Sequence, residues 1–164
     1  MNDEDLQPKS RKGLGFQLSL KGRALRLLSQ REHSRTELER KLRPFEEVPG
    51  ELAAALDFLQ AKDFINERRV VASVVNRRAS KLGAMRVQQE LQAKGIDGQV
   101  IQEAVRGMLE TELERAQEIW RKKFGAPALD AHARVKQIRF LIGRGFASEV
   151  VRRVVQRGGQ GPDD

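Results

Sequence analysis

The sequence predicts an all-α protein, three tandem three-helix repeats forming an elongated, curved array. Between Asp63 and Leu109, apolar stripes recur three times at helical spacing. Val70, Val71, Val74 and Val75 form the first, Ala84, Val87 and Leu91 the second, and Val100, Ile101, Ala104, Val105, Met108 and Leu109 the third. The arrangement then returns after about 50 residues, the mark of a repeat array. Gly95 and Ile96 map onto Gly145 and Phe146, Lys94 onto Arg144, and the pairs Val100-Ile101 and Ala104-Val105 onto Val150-Val151 and Val154-Val155. A looser copy lies upstream, with Leu38 and Leu42 in place of Val87 and Leu91. No stretch alternates apolar and polar residues as a strand would. One unit of roughly 45 residues makes a marginal core, so adjacent units are expected to bury each other's faces.

The elements follow in order. Residues 1–19 mix Pro, Gly, Ser and charge without periodicity and read as a flexible tail. Repeat one, residues 20–65, opens with a helix over about Leu20 to Gln30. Ser34 and Glu37 then form a capping box for a helix carrying Leu38 and Leu42. Pro44 and Pro49 bound a loop, and a third helix carries Leu52, Ala55, Leu56 and Leu59. Repeat two, residues 66–110, starts at an Asn66 cap; Gly95 is placed to take the left-handed conformation, and Asp97 to cap the helix after it. Repeat three, residues 111–158, opens with a second expected capping box, Thr111 with Glu114. Its helices carry Trp120 and Phe124, then run from about Asp130 to Arg144 and from Ser148 to Arg157. Residues 159–164 read as a second flexible tail.

Composition narrows the function. The absence of Cys removes disulfides, thiolate metal sites and cysteine nucleophiles, and fits a reducing, cytoplasmic setting. No apolar run is long enough to span a membrane. There is no Gly-rich loop ending in Gly-Lys-Ser or Gly-Lys-Thr. His33 and His132 stand alone and are expected at the surface or at helix ends, and Asp57, Asp63 and Glu67 read as caps and solvated groups. No enzyme activity and no cofactor are expected.

Charge is the informative quantity because it is uneven. Residues 1–67 hold 12 basic and 12 acidic side chains, whereas residues 68–164 hold 19 basic and 11 acidic. The whole surplus lies in the last two repeats, where it suits a phosphate backbone or an acidic protein surface. Arg77 and Lys81 lie one turn apart beside the Val stripe, while Arg78 falls inside it and is expected to bond a carbonyl or a carboxylate. Arg121, Lys122 and Lys123 fill the last turn of a helix, where the macrodipole favours cations in any case. Arg134, Lys136, Arg139 and Arg144 follow on the next helix, and Arg152 and Arg153 on the last. Trp120, Phe124 and Phe146 keep the register of core residues and are expected inside.

These residues resemble a known family. Phe64-Ile65-Asn66-Glu67, then Arg77, Lys81, Gly83, Arg86, Glu90-Leu91 and Lys94-Gly95-Ile96 are similar to the RecX family of bacterial recombination regulators. So are Ala133-Arg134-Val135-Lys136, Phe140-Leu141 and Arg144-Gly145-Phe146. Upstream, Arg23-Ala24-Leu25-Arg26-Leu27-Leu28, Arg31-Glu32-His33-Ser34 and Glu37-Leu38 continue the likeness. The match runs from about Leu20 to Arg157, and the Pro-bounded loop at 44–49 departs from it most.

The resemblance implies three tandem three-helix units and a role in DNA repair, recombination and the SOS response. It implies binding to the RecA filament on single-stranded DNA, with DNA met directly or through RecA, and inhibition of filament extension, strand exchange and ATPase activity. The expected contact face is the basic set above with Arg86 added, carried by a monomer. The alternative is a DNA-binding helical module acting without RecA, since helix, Gly turn and helix resemble a helix-turn-helix. Against it, the helix after Gly95 offers Gln99, Gln102 and Glu103 with Arg106 as its one cation.

Overall fold

The computed structural model describes residues 17–158. Among these, the secondary structure is nine α-helices and one short 3-10 turn, with no strand. Helices α1 (Leu20–Leu28), α2 (Arg35–Leu42) and α3 (Glu51–Ala61) come first, with the 3-10 turn at Arg43–Phe45. Then follow α4 (Glu67–Arg78), α5 (Ala84–Ala93) and α6 (Gly98–Glu110), and last α7 (Glu112–Lys123), α8 (Ala131–Gly143) and α9 (Ser148–Gln156). The expected tails lie outside the described residues apart from 17–19, where the Ser19 hydroxyl accepts from the Gly22 amide at 3.1 Å and caps α1.

Local sequence explains most helix ends. The Ser34–Glu37 box is formed in both directions, at 3.2 Å and 2.9 Å. Asn66, Asp97 and Asp130 each accept a backbone N–H at the head of α4, α6 and α8. In the Pro-bounded loop Glu46 does the capping: its carboxylate accepts from Gly50 and Leu52 amides at 3.0 and 3.1 Å, in front of α3. The expected Thr111–Glu114 box does not form. Thr111 alone separates α6 from α7, so its hydroxyl turns back to the Met108 carbonyl and accepts from Arg115 Nε at 3.1 Å.

Each group of three helices encloses its own apolar cluster. Leu38, Leu42, Leu56 and Leu59 lead the first, Val70, Val74, Val87 and Leu91 the second, and Trp120, Leu141, Phe146 and Val151 the third. Trp120 and Phe146 are buried, as their register predicts, and Trp120 Nε1 donates to a buried Gln137 at 2.9 Å.

The joints between the groups are polar instead, which differs from the expected burial of shared apolar faces. At each joint the glycine turn of one group docks on the head of the second helix of the group before it. The Ser34 hydroxyl donates to the Lys94 carbonyl at 2.6 Å, and Gly95 lies against the Thr36 side chain. At the second joint Gly83 N–H donates to the Arg144 carbonyl at 2.8 Å and Met85 N–H to the Gly145 carbonyl at 3.2 Å. Gly95 and Gly145 both have positive φ, 70° and 88°, and both touch the neighbouring group where a Cβ would stand. His33, expected at the surface or a helix end, is 2% exposed. The loop that carries it with Ser34 is the surface on which the Lys94–Gly95 turn docks, and its Nδ1 lies 3.0 Å from the Arg31 carbonyl.

Candidate partner-binding face

The second joint also gathers cations. Arg144 closes α8 one residue before its left-handed glycine, and docking of that turn carries it to the end of α4. There Arg144 Nη1 donates to the Lys81 carbonyl at 3.2 Å, uniting residues 63 apart in sequence. The guanidinium lies 4.5 Å from the centre of the Phe140 ring, and Lys123 Nζ reaches the same ring at 5.8 Å. Phe124 meets Phe140 edge to face at 5.3 Å, which fixes the ring against the third core. Phe140 therefore orients two cations, with one of its faces taken by Arg144. Lys136, Phe140 and Arg144 follow one another at one-turn spacing along α8, so Lys136 extends the same row.

Among the described residues, Lys81, Lys123, Lys136 and Arg144 have no carboxylate within ion-pair distance. Lys81, Lys123 and Lys136 are exposed and Arg144 is half-buried. Arg144 and Lys123 on one ring, Lys136 one turn away along α8 and Lys81 at the backbone contact of Arg144, none with a counter-charge among the described residues, make a surface for phosphate or carboxylate oxygens.

The other expected residues divide. Arg86 is exposed beside the joint, its backbone and Cβ packed against Gly145. Arg77 is partly neutralised by Glu90 at 3.4 Å; Arg78 holds the same carboxylate at 2.9 Å, the bond its position predicts. Lys122 pairs with Glu118 at 2.9 Å and Arg152 with Glu149 at 3.5 Å. Arg121, Arg139 and Arg153 are exposed and in no ion pair among the described residues. Arg134 is exposed too, but it lies about 140° around α8 from Arg139, so these two do not share one face.

Three polar residues escaped the sequence reading, Glu112 and Gln137 buried and Arg115 half-buried. Glu112 is 1% exposed, and its Oε1 accepts the Ala84 amide at 2.9 Å. Arg115 donates to the carbonyls of Ala79, Leu82 and Met108. Gln137 links Trp120 to the Ala126 carbonyl. The signal was present for two of them: Glu112 stands four residues before Ala116 and Gln137 four before Leu141, both inside apolar stripes.

Among the described residues, no cluster of three or more His, Asp or Glu side chains could hold a metal ion, and no helix is long and apolar enough to cross a membrane. Comparison with known proteins decides the family. Residues 66–105 match the model of the RecX second three-helix domain, and residues 110–155 that of the third. The regulatory protein RecX of Leptothrix cholodnii is 53% identical over 140 residues, covering 85% of this chain and 89% of that one.

The chain belongs to the RecX family.

The regulatory protein RecX of Herminiimonas arsenicoxydans is 43% identical over 141 residues, covering 86% of this chain and 93% of its own. The crystal structure of RecX from Lactobacillus salivarius superposes with a TM-score of 0.71, 23% identity and coverage of 84% of this chain and 93% of that one. At that identity the likeness establishes the fold. The RecX domain matches coincide with the two helix groups whose joint assembles the cation row.

Proposed function

We propose that this protein binds the filament that RecA forms on single-stranded DNA and limits its extension, its ATPase activity and its strand exchange. Membership of the RecX family supports this choice of partner. The observation that carries the binding mode is the pair of cations on Phe140, Arg144 and Lys123, with Arg144 also bonded to the Lys81 carbonyl of the neighbouring group. Docking brings Lys81 of the second group beside the cations of the third, which suits recognition of an extended, repeating surface rather than a small ligand. Acidic side chains or DNA phosphates on the filament supply the opposite charge, giving fast and salt-sensitive association. Contacts with neighbouring protomers add through effective concentration, so the assembled filament is preferred over free RecA.

Such regulation needs no bond making. Occupying the site of the next protomer, or binding one filament state better than another, is sufficient. The protein acts as a monomer in the cytoplasm, where the filament forms. Addition at a small fraction of the RecA concentration should lower DNA-dependent ATP hydrolysis and strand exchange together. Unchanged rates for both would refute the reading, and tight binding of one duplex sequence without RecA would favour a DNA-binding module instead.

A further inference from the structure

We infer that the joint between α1–α3 and α4–α6 is a hinge, whereas the joint between α4–α6 and α7–α9 is rigid, so the last six helices move as one body. Both joints use the same device, a left-handed glycine turn docked on a helix head, but they are fastened differently. At the second joint two backbone hydrogen bonds cross, Gly83 to Arg144 and Met85 to Gly145. The buried carboxylate of Glu112 adds a bond to the Ala84 amide, and Arg115 reaches from α7 to the Ala79 and Leu82 carbonyls. A single residue, Thr111, separates α6 from α7.

At the first joint, among the described residues, no backbone-to-backbone hydrogen bond crosses. Fastening rests on side chains: the Ser34 hydroxyl on the Lys94 carbonyl, Lys94 Nζ on Glu37 at 2.8 Å, and Arg69 on Glu32 at 2.9 Å. Arg31 shares the Glu37 carboxylate at 3.0 Å, and Asp63 shares Arg69 at 2.8 Å. The connection here, residues 62–66, is five residues long and includes Asp63 at φ 62°.

The two kinds of fastening differ in stiffness. A backbone N–H···O=C bond weakens steeply with distance and misalignment, so two of them fix an orientation. Coulomb attraction falls only as the inverse of distance, and a long Lys or Arg side chain follows its carboxylate through a range of positions. An ionic joint therefore holds two groups together while letting the angle between them change. Among the described residues, no apolar cluster spans either joint to oppose this, since each cluster draws on one group alone. The first group, nearly neutral with 8 basic and 7 acidic side chains over residues 20–61, then swings relative to a rigid basic platform.

The chain has no cysteine, so paired labels can be introduced cleanly. Double electron–electron resonance between labels at Ala53→Cys and Gln102→Cys reads the first joint, and between Gln102→Cys and Gln156→Cys the second; all three positions are exposed. The unaltered joints should give a broad distribution for the first pair and a narrow one for the second. Glu37→Gln should broaden the first further and leave the second unchanged. Equal widths, or a second pair broader than the first, would overturn the inference without recourse to any joint variant.

Discussion

The Ser34 hydroxyl donates to the Lys94 carbonyl at 2.6 Å across 60 residues of sequence, and beside it Lys94 Nζ binds Glu37, the partner of Ser34 in its capping box. One helix head thus serves two purposes, ending α2 correctly and receiving the next group. A carboxylate set in such a place should govern how the molecule responds to acid.

Burial alone would raise the Glu37 pKa, but hydrogen bonds from Arg31, Lys94 and the Ser34 amide outweigh it and bring it down to about 2 from 4.5. A depressed carboxyl pKa stabilises the fold fully above about pH 4.5 and loses that contribution as pH falls towards 2. Burial also lowers the His33 pKa below 6.5, against the opposing bond to the Arg31 carbonyl. Its contribution is full above 6.5 and fades as pH falls through its lowered value. Denaturant midpoints measured against pH should decline in these two windows, and Glu37→Gln should flatten the lower one, by on the order of 2 kcal/mol after allowance for solvent screening.

Glycine substitutions separate backbone conformation from close approach. At Gly50, with φ 90° and open space around a Cβ, Gly50→Ala should cost only the left-handed penalty of about 1–2 kcal/mol. Gly145→Ala adds a clash with the Arg86 backbone nitrogen at 2.6 Å and should cost clearly more. Urea unfolding of both variants checks the order, and equal losses would show that the docked turn is loose.

Buried Glu112 offers a sharper contrast. Its Oε1 bonds the Ala84 amide, and its Oε2 has no hydrogen-bond partner among the described residues. Glu112→Ala strands that amide and leaves a cavity, a loss of about 2–4 kcal/mol. Glu112→Gln keeps the acceptor and should lose less; equal losses for the two variants would show that the charge opposite Arg115 dominates.

On the candidate face, Lys81→Ala combined with Lys136→Ala should weaken filament binding with helical content unchanged. Arg134→Ala, on another side of α8, should do less. Lys122→Ala and Arg152→Ala should also do less, because Glu118 and Glu149 already neutralise those groups. Where DNA is the contact, each lost phosphate should flatten the salt slope by about 0.7. Circular dichroism and binding titrations at several salt concentrations distinguish the variants.

The helices were legible because periodicity, caps and glycine stops are local. Asn66, Asp97, Asp130 and the Ser34–Glu37 box act as their neighbours in sequence dictate. Thr111–Glu114 fails because a nearly continuous α6–α7 junction leaves Thr111 occupied by Met108 and Arg115. The 50-residue period showed that units repeat but carried no information on what joins them. That depends on pairs such as Ser34 with Lys94 and Lys81 with Arg144, which meet only after folding. For the same reason Arg144, which looked like one cation among many, turns out to anchor the row, whereas Arg134 stands apart from it.

A crosslinking map on RecA–single-stranded-DNA filaments tests the account most directly, with photoreactive groups placed at Lys81 and Lys136 and, as a control, at Arg134. Strong crosslinks to the filament from the first two positions, weak ones from the third and none to free RecA are the predicted result. Equal labelling from all three positions, or capture of bare DNA undiminished when RecA is left out, would contradict it.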